Sequence, residues 1–357
     1  MALSKITNAS VADTAVHGRR RLNINGSMLV AQRGTSFTGK TSSSYGIDRH
    51  ETKISTAGTW TLSQSSTAPE GFDNSFKVDC TTANSSLSAS SNMLIQQRLE
   101  GQDLAHLKKG TSNAEKVTMS FWVRSSKTGT YVLEILDNDN DRHISKTYSI
   151  STADTWEHKA ITFDGDTSGA LTHDNSTSLE YNFWLVAGSN YTSGTLATSW
   201  ASTTTANRAV GQVNLADSTS NEFYLTGVQL EIGDTVSPFE HRSFGEELAL
   251  CQRYFERLVN SPTDCFATCA VWTDTSAYGV VNFLPKRADP TFTVSSGSHF
   301  KVRGANEDHA TTALAGTDIR HEGYMRVNIT TSGRTAGHAI WLRADHEDAT
   351  VDLDAEL

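Results

Sequence analysis

The chain has 357 residues, enough for two or three domains of ordinary size. Its formal net charge of -10 excludes a molecule-wide nucleic-acid-binding surface, and its one basic run is Arg19-Arg20-Arg21. Hydrophobic residues make up 37% and charged residues 20%. Ser, Thr, Asn and Gly fill the shortfall, and these residues suit strand surfaces and tight turns better than helix interiors.

Residues 1–45 read as an extended N-terminal arm. Apolar residues are sparse until Ile24 and Met28-Leu29-Val30, and Thr35 to Tyr45 reads as loop. An arm cannot satisfy its own backbone, so it is expected to dock on a partner chain, with the basic run as part of that contact. Met1 to Ser10 lack the apolar core of a signal peptide, and no run approaches the ~18 apolar residues of a membrane span. Neither nucleic-acid binding nor membrane insertion is expected.

Residues 46–242 carry the densest strand signals. Phe76–Cys80, Val117–Arg124, Tyr131–Leu136, Thr147–Ile150, Glu157–Phe163, Leu179–Val186 and Phe223–Leu230 alternate or run apolar, with Gly/Asn/Asp/Ser turns between them. The pattern predicts an antiparallel jelly-roll sandwich. One short helix is expected at Asp103 to Lys109, with Leu104 and Leu107 inward.

Residues 243–260 break the pattern and predict an amphipathic linking helix. Leu248, Cys251, Phe255 and Leu258 form its stripe, which either packs on its own domain or meets its copies around a threefold axis. Residues 261–357 return to strand at Val280–Phe283, Thr291–Val294, Tyr324–Ile329, His338–Arg343 and Val351–Leu357, and predict a smaller C-terminal β domain. Pro285 and Pro290 bracket a turn or edge. Among the 4 cysteines, Cys265 and Cys269 share a strand face about 13 Å apart, too far to bridge directly. No CxxC pair and no Cys/His cluster has zinc spacing, and free thiols fit assembly in a reducing cytosol.

Several blocks together resemble the tail-fibre and appendage virion proteins of tailed bacteriophages. They are Leu22-Asn-Ile-Asn-Gly-Ser-Met-Leu-Val-Ala-Gln-Arg-Gly34, Phe223–Gly233, Pro238–Ser243, Glu247–Phe255, Phe283–Thr291 and the terminal Asp354–Leu357. They run along nearly the whole chain in the family's order. The stretch from about 70 to 235 resembles the jelly-roll carbohydrate-binding modules of xylanases and laminarinases, through Ser120–Arg124, Thr155–His158 and Gly227–Glu231. The resemblance implies a virion protein assembled in the host cytoplasm, a homotrimer. The arm would join it to other virion proteins, and the jelly roll would project toward a host-surface polysaccharide. A purely structural head-fibre, decoration or adaptor subunit is the rival reading, and a depolymerase is a third.

The residues offer three sets of candidates. For carbohydrate, Trp200, Tyr191 and Trp60 lie in polar surroundings, as exposed stacking rings or as caps on the core. For calcium, Asp137, Asp139 and Asp141 occupy the first three ligand positions of an EF-hand-like loop, although Arg142 stands where its Gly belongs; the alternative is a solvated hairpin turn. For glycoside hydrolysis, Glu134, Glu157, Glu180 and Glu231 are carboxylates on strands. No nucleophile elbow, HExxH or Walker loop is present, so no catalytic residue is assigned and a non-enzymatic protein is expected. No cofactor is expected beyond the candidate calcium.

Overall fold

The computed structural model describes residues 20–304 and 308–357. The chain forms two compact units, one ending at Glu247 and counting Leu357 with it, the other running from Leu248 to Glu356. Both are built almost wholly of antiparallel strands, so the mostly-β reading stands. No helix among the described residues is long and apolar enough to cross a membrane.

The first unit contains β1 (Ser36–Lys40), β2 (Ser44–Ile47), β3 (His50–Ser55), β4 (Thr59–Ser65), β5 (Ser75–Thr82), β6 (Asn92–Glu100), β7 (Val117–Ser125), β8 (Gly129–Asp137), β9 (Arg142–Ile150), β10 (Glu157–Phe163), β11 (Thr177–Ala187), β12 (Ala201–Ser202) and β13 (Glu222–Ile232), with a one-turn helix α1 (Ser189–Thr192). They form two sheets, of order β1-β4-β5-β13-β7-β10 and β12-β9-β8-β11-β6-β3-β2, in a jelly-roll sandwich. Alternation along each strand sends one set of side chains into the space between the sheets. Phe121 of β7 meets Phe183 of β11 edge-on at 4.9 Å and Tyr148 of β9 at 5.0 Å, which ties one sheet to the other. At the bulge of β13, Gly227 has φ +61°, and a Cβ there would lie 2.8 Å from Phe72.

From Arg21 onward, the segment read as an arm belongs to this sandwich. Met28 and Val30 are buried in it. Asn23 is joined to β13 in both directions: its amide donates to the Val228 carbonyl at 2.9 Å and its carbonyl oxygen accepts from Leu230 N–H at 2.9 Å. Gln97 of β6 bonds Ile24 in the same reciprocal way, at 2.8 Å each. Asparagine and glutamine side chains here replace a strand ladder, so the segment folds without the apolar alternation that would have marked it. The basic run does not project either, in its described part. Arg21 is buried and paired with Glu247, and Arg20 N–H donates to Glu240 at 2.7 Å. Arg19 and the rest of the expected arm lie outside the described residues. The short helix expected at 103–109 is two 3-10 turns, Gly101–Asp103 and Ala105–Leu107, with Leu104 and Leu107 inward as expected.

Helix α2 (Phe244–Gln252) starts with a capping box: Ser243 Oγ accepts from Glu246 N–H at 3.3 Å and Glu246 accepts from Ser243 N–H at 3.0 Å. It ends sooner than the stripe predicts. Leu248 and Cys251 are helical, but Phe255 and Leu258 lie in β14 (Phe255–Val259). A strand wins there because Phe255 to Val259 pair with the chain's last strand, and Arg257 locks onto Asp352 with two 2.7 Å bonds. The four-residue stripe is therefore not one helical face.

After β14 the second unit holds β15 (Cys265–Thr273), β16 (Ser276–Asn282), β17 (Thr291–Val294), β18 (Phe300–Arg303), β19 (Asp308–Ala310), β20 (Ala313–Arg320), β21 (Tyr324–Thr330), β22 (Ala339–Ala344) and β23 (Val351–Asp354). They make a three-stranded sheet, β14-β23-β17, and a seven-stranded one, β19-β18-β22-β15-β16-β21-β20. Val271, Val281, Phe300, Val327, Leu342 and Leu353 are among the residues of their common core. None of the four cysteines forms a disulfide among the described residues.

Candidate functional site

Strand register gathers the notable polar residues of the sandwich on the outward face of its seven-stranded sheet. One row across the sheet reads Glu51, Gln96, Asn182, Glu134, Ser145, and the next reads Arg98, Glu180, Leu136, His143. Each row draws on strands far apart in sequence. The segment 188–213 lies over one end of this face. It is pinned by Ser145 N–H to Ala197 O (2.7 Å), Val213 N–H to Thr130 O (3.0 Å) and Val132 N–H to Gln212 Oε1 (2.8 Å).

Glu134 is the centre of the covered part and is fully buried. Its Oε1 meets His143 Nδ1 at 3.0 Å and accepts from Arg208 Nε at 2.8 Å. Its Oε2 accepts from Arg208 Nη2 at 2.8 Å, Trp184 Nε1 at 3.1 Å and Asn182 Nδ2 at 3.2 Å. Burial alone would raise its pKa, but the Arg208 guanidinium and the His143 hydrogen bond overcome this and hold it at about 2. Asn182 also donates to Glu180 at 3.1 Å, while Arg98 pairs with Glu51 at 3.2 Å and with Glu180 at 3.6 Å.

Beside this network the face opens into a groove of about 410 Å³. Tyr191, carried by α1, forms one wall. Its ring lies 5.1 Å from that of Trp184, and its hydroxyl accepts from Asn92 at 3.1 Å. Lys53, Gln96, Arg98, Asn138 and Arg208 line the rest. Two buried amide oxygens, Gln96 Oε1 and its row neighbour Asn182 Oδ1, accept no hydrogen bond among the described residues. Such acceptors are costly to leave unmet and call for a hydroxyl or N–H donor. Of the cationic side chains that line the groove, Arg98 is paired with Glu51 and Glu180, and Arg208 with Glu134.

Of the three aromatic candidates for carbohydrate, Tyr191 alone reaches this groove. Trp60 is fully buried, donating from Nε1 to Ala57 O at 2.8 Å. Its neighbours Thr59 and Thr61 face the other way, as alternation requires, so their polarity says nothing about where the indole points. Trp200 is half-buried against the core, with Nε1 donating to Asp164 O at 2.7 Å.

The acidic triplet does not converge. Asp137 is buried and paired with Lys109, and its Oδ1 accepts the N–H groups of Asp139 (2.9 Å) and Asn140 (3.1 Å). Asp139 accepts from Thr172 N–H at 2.8 Å, and Asp141 takes a left-handed turn conformation at φ 56°. This is a closed Asx-type hairpin turn, and its residues do not fit calcium. Among the described residues, the one group of three His/Cys/Asp/Glu ligand atoms close enough to share a metal is Asp289, His321 and Glu322, all exposed, in the second unit.

The strand carboxylates are likewise occupied. Glu157 accepts from Ser151 and Thr152 N–H at 2.8 and 2.9 Å, and Glu231 from Ser237 N–H at 2.9 Å. Residues that sequence reading leaves aside, namely Gln96, Asn182, Trp184 and Arg208, carry most of the site. The available signal is the polar Glu180 and Asn182 set inside the apolar run of β11.

No family model matches the chain, and no curated protein matches it. Among solved structures it is similar to the enzymatically active domain of tailspike protein 4 of bacteriophage CBA120, at 12% identity over 59% of this chain with a TM-score of 0.29. The match spans 21% of that tailspike chain's length. A putative sugar-binding protein from Bacteroides thetaiotaomicron aligns at 13% identity over 60% of this chain and all of its own, with a TM-score of 0.34. The family 11 carbohydrate-binding module from Clostridium thermocellum aligns at 10% identity over 57% of this chain and 98% of its own, with a TM-score of 0.29.

Proposed function

We propose that the chain is a non-enzymatic glycan-binding subunit of a tailed-phage particle, and that it holds an uncharged stretch of polysaccharide in the groove beside Tyr191. The observation that carries the binding reading is the orphaned acceptor Gln96 Oε1, at a groove walled by a tyrosine ring. A sugar ring presents an apolar face to the tyrosine and a hydroxyl donor to the Gln96 amide. With Arg98 and Arg208 already paired to carboxylates, a polyanion is disfavoured. Glu134 is committed to its five donors, which supports binding over glycoside hydrolysis. Membership of a particle rests on the ordered blocks that resemble phage appendage proteins. The homotrimer rests on that resemblance alone, since Phe255 and Leu258 are not helical.

The test is affinity electrophoresis of the full chain through gels holding neutral glucans, xylans or galactans, with an acidic polysaccharide as control. Retardation by a neutral polymer is expected. Tyr191→Ala should reduce it about tenfold, with the circular dichroism spectrum unchanged, since a stacked ring contributes about 0.5–1.5 kcal/mol beyond its buried area. Binding to the acidic polymer alone, or neutral binding indifferent to Tyr191, would overturn the groove assignment.

A further inference from the structure

The hairpin turn that does not fit calcium borders a cation of the chain's own. Lys109 leaves a tight turn, between Lys108 at φ 51° and Gly110 at φ +81°, and its side chain is almost wholly buried. The ammonium pairs with Asp137 and lies 3.0 Å from Asp166 Oδ2. It also donates to Gly169 O at 2.9 Å and lies 3.3 Å from Ser168 O. The Trp200 ring centre stands 5.1 Å from it. Two carboxylates and two backbone carbonyls, from β8 and the 166–169 loop, thus converge on one positive charge. That is the oxygen set of a hard metal ion, although smaller than the six to eight oxygens calcium prefers. Arg142 supplies the second positive charge, clamping Asp166 at 2.7 and 2.9 Å, so two carboxylates face two cations.

We propose that the Lys109 ammonium is the built-in structural cation of the sandwich. It takes the place of a divalent metal in joining the β8–β9 turn to the 166–169 loop, and it makes the fold independent of calcium. The aromatic face of Trp200 covers the side the oxygens leave open, which gives this indole a structural role. A bound metal would meet the ammonium's charge at the same oxygens, so the two exclude one another.

The test is thermal unfolding of the full chain, read by circular dichroism at constant ionic strength. The wild type should show the same Tm with EDTA as with millimolar CaCl₂. Lys109→Met keeps much of the stem but removes the charge, and should lower Tm by about 5–15 °C, because two buried carboxylates lose a partner. Lys109→Ala opens the space, and millimolar CaCl₂ or methylammonium chloride should restore part of its Tm while leaving the wild type and Lys109→Met/Asp137→Asn unmoved. The double variant should melt above Lys109→Met, since it buries one stranded charge fewer. A wild type destabilised by EDTA would overturn the proposal, as would a Lys109→Met variant that melts with the wild type. If Lys109→Ala fails to fold, the wild-type and methionine arms still decide.

Discussion

The two seven-stranded sheets treat their outward faces in opposite ways. In the sandwich, that face is polar and partly roofed: Glu134, Asn182 and Gln96 are buried under or beside the 188–213 segment, and the large rings Trp60, Phe121 and Phe183 are inside. In the C-terminal unit the core is mainly aliphatic, with Phe300 among it, and two tryptophans face outward. Trp272 is 72% exposed, Trp341 58% and Val280 60%. Along β22, Ile340 and Leu342 point in while Trp341 points out; along β15, Cys269 and Val271 point in while Thr268 and Ala270 point out. Strand alternation separates two faces but does not say which one is covered. Ring size is no guide either, because Phe300 is buried in the same unit in which Trp272 and Trp341 are exposed.

Substituting an inside ring measures the first half of this contrast. Trp60→Ala removes a fully buried indole and its hydrogen bond to Ala57, and should cost about 3–5 kcal/mol in urea unfolding followed by circular dichroism. A cost below about 1 kcal/mol would mean that Trp60 is not packed between the sheets.

Acid attacks the roofed face next. Glu134 is held at about 2 against an ordinary value near 4.5, with burial opposing the shift and Arg208 and His143 producing it. A depressed carboxylate contributes stability that is complete above its unfolded pKa and is lost as pH falls through the folded one. The loss attributable to Glu134 therefore falls between pH 4.5 and 2, and amounts to about 3 kcal/mol. His50 is pushed down to about 3 by burial, against which the Asp48 carbonyl acts weakly. It unfolds to a chain that takes up its proton near 6.5, so its contribution is also lost on acidification, starting at higher pH. Glu134→Gln should weaken the fold at pH 7, and the gap to wild type should close as pH approaches 2, while the His50 phase remains in both proteins. A gap that stays constant with pH would rule out Glu134 as the titrating group.

Legibility in the sequence follows the same division. The strands with clean alternation, such as β7, β10 and β17, sit within a residue or so of where the pattern puts them, because one side of each is core and the other is polar. The segment 21–30 does not read as structure, since its partners are side-chain amides of Asn23 and Gln97. β3 and β6 hide for a related reason: Gln96 and Gln97 are polar residues buried on opposite faces of β6, and Glu51 and Arg98 are half-buried, so alternation marks no solvent face. Tyr191 can be found from its polar loop. Glu134 is visible as a carboxylate on a strand, but its meeting with Arg208, 74 positions later, is a product of register and of the covering segment. The triplet of aspartates looks like a metal loop, but it does not converge: Asp137 meets the ammonium of Lys109, from 28 positions upstream, together with Asp166.

The smallest expected effect tests the bare face. Trp272→Ser and Trp341→Ser remove rings that touch little: Trp272 meets Tyr278 edge-on at 6.4 Å, and Trp341 stands over Thr268 on the neighbouring strand. Each should change unfolding free energy by no more than about 0.5 kcal/mol, as for surface positions away from packed features. Tryptophan fluorescence checks exposure directly. With 7 tryptophans in the chain, the fraction quenched by acrylamide should fall when these two are replaced, while the emission of the inside indoles stays blue-shifted. A loss of several kcal/mol from either substitution would mean that the face is covered in solution, and the contrast between the two sheets would then be one of what covers them.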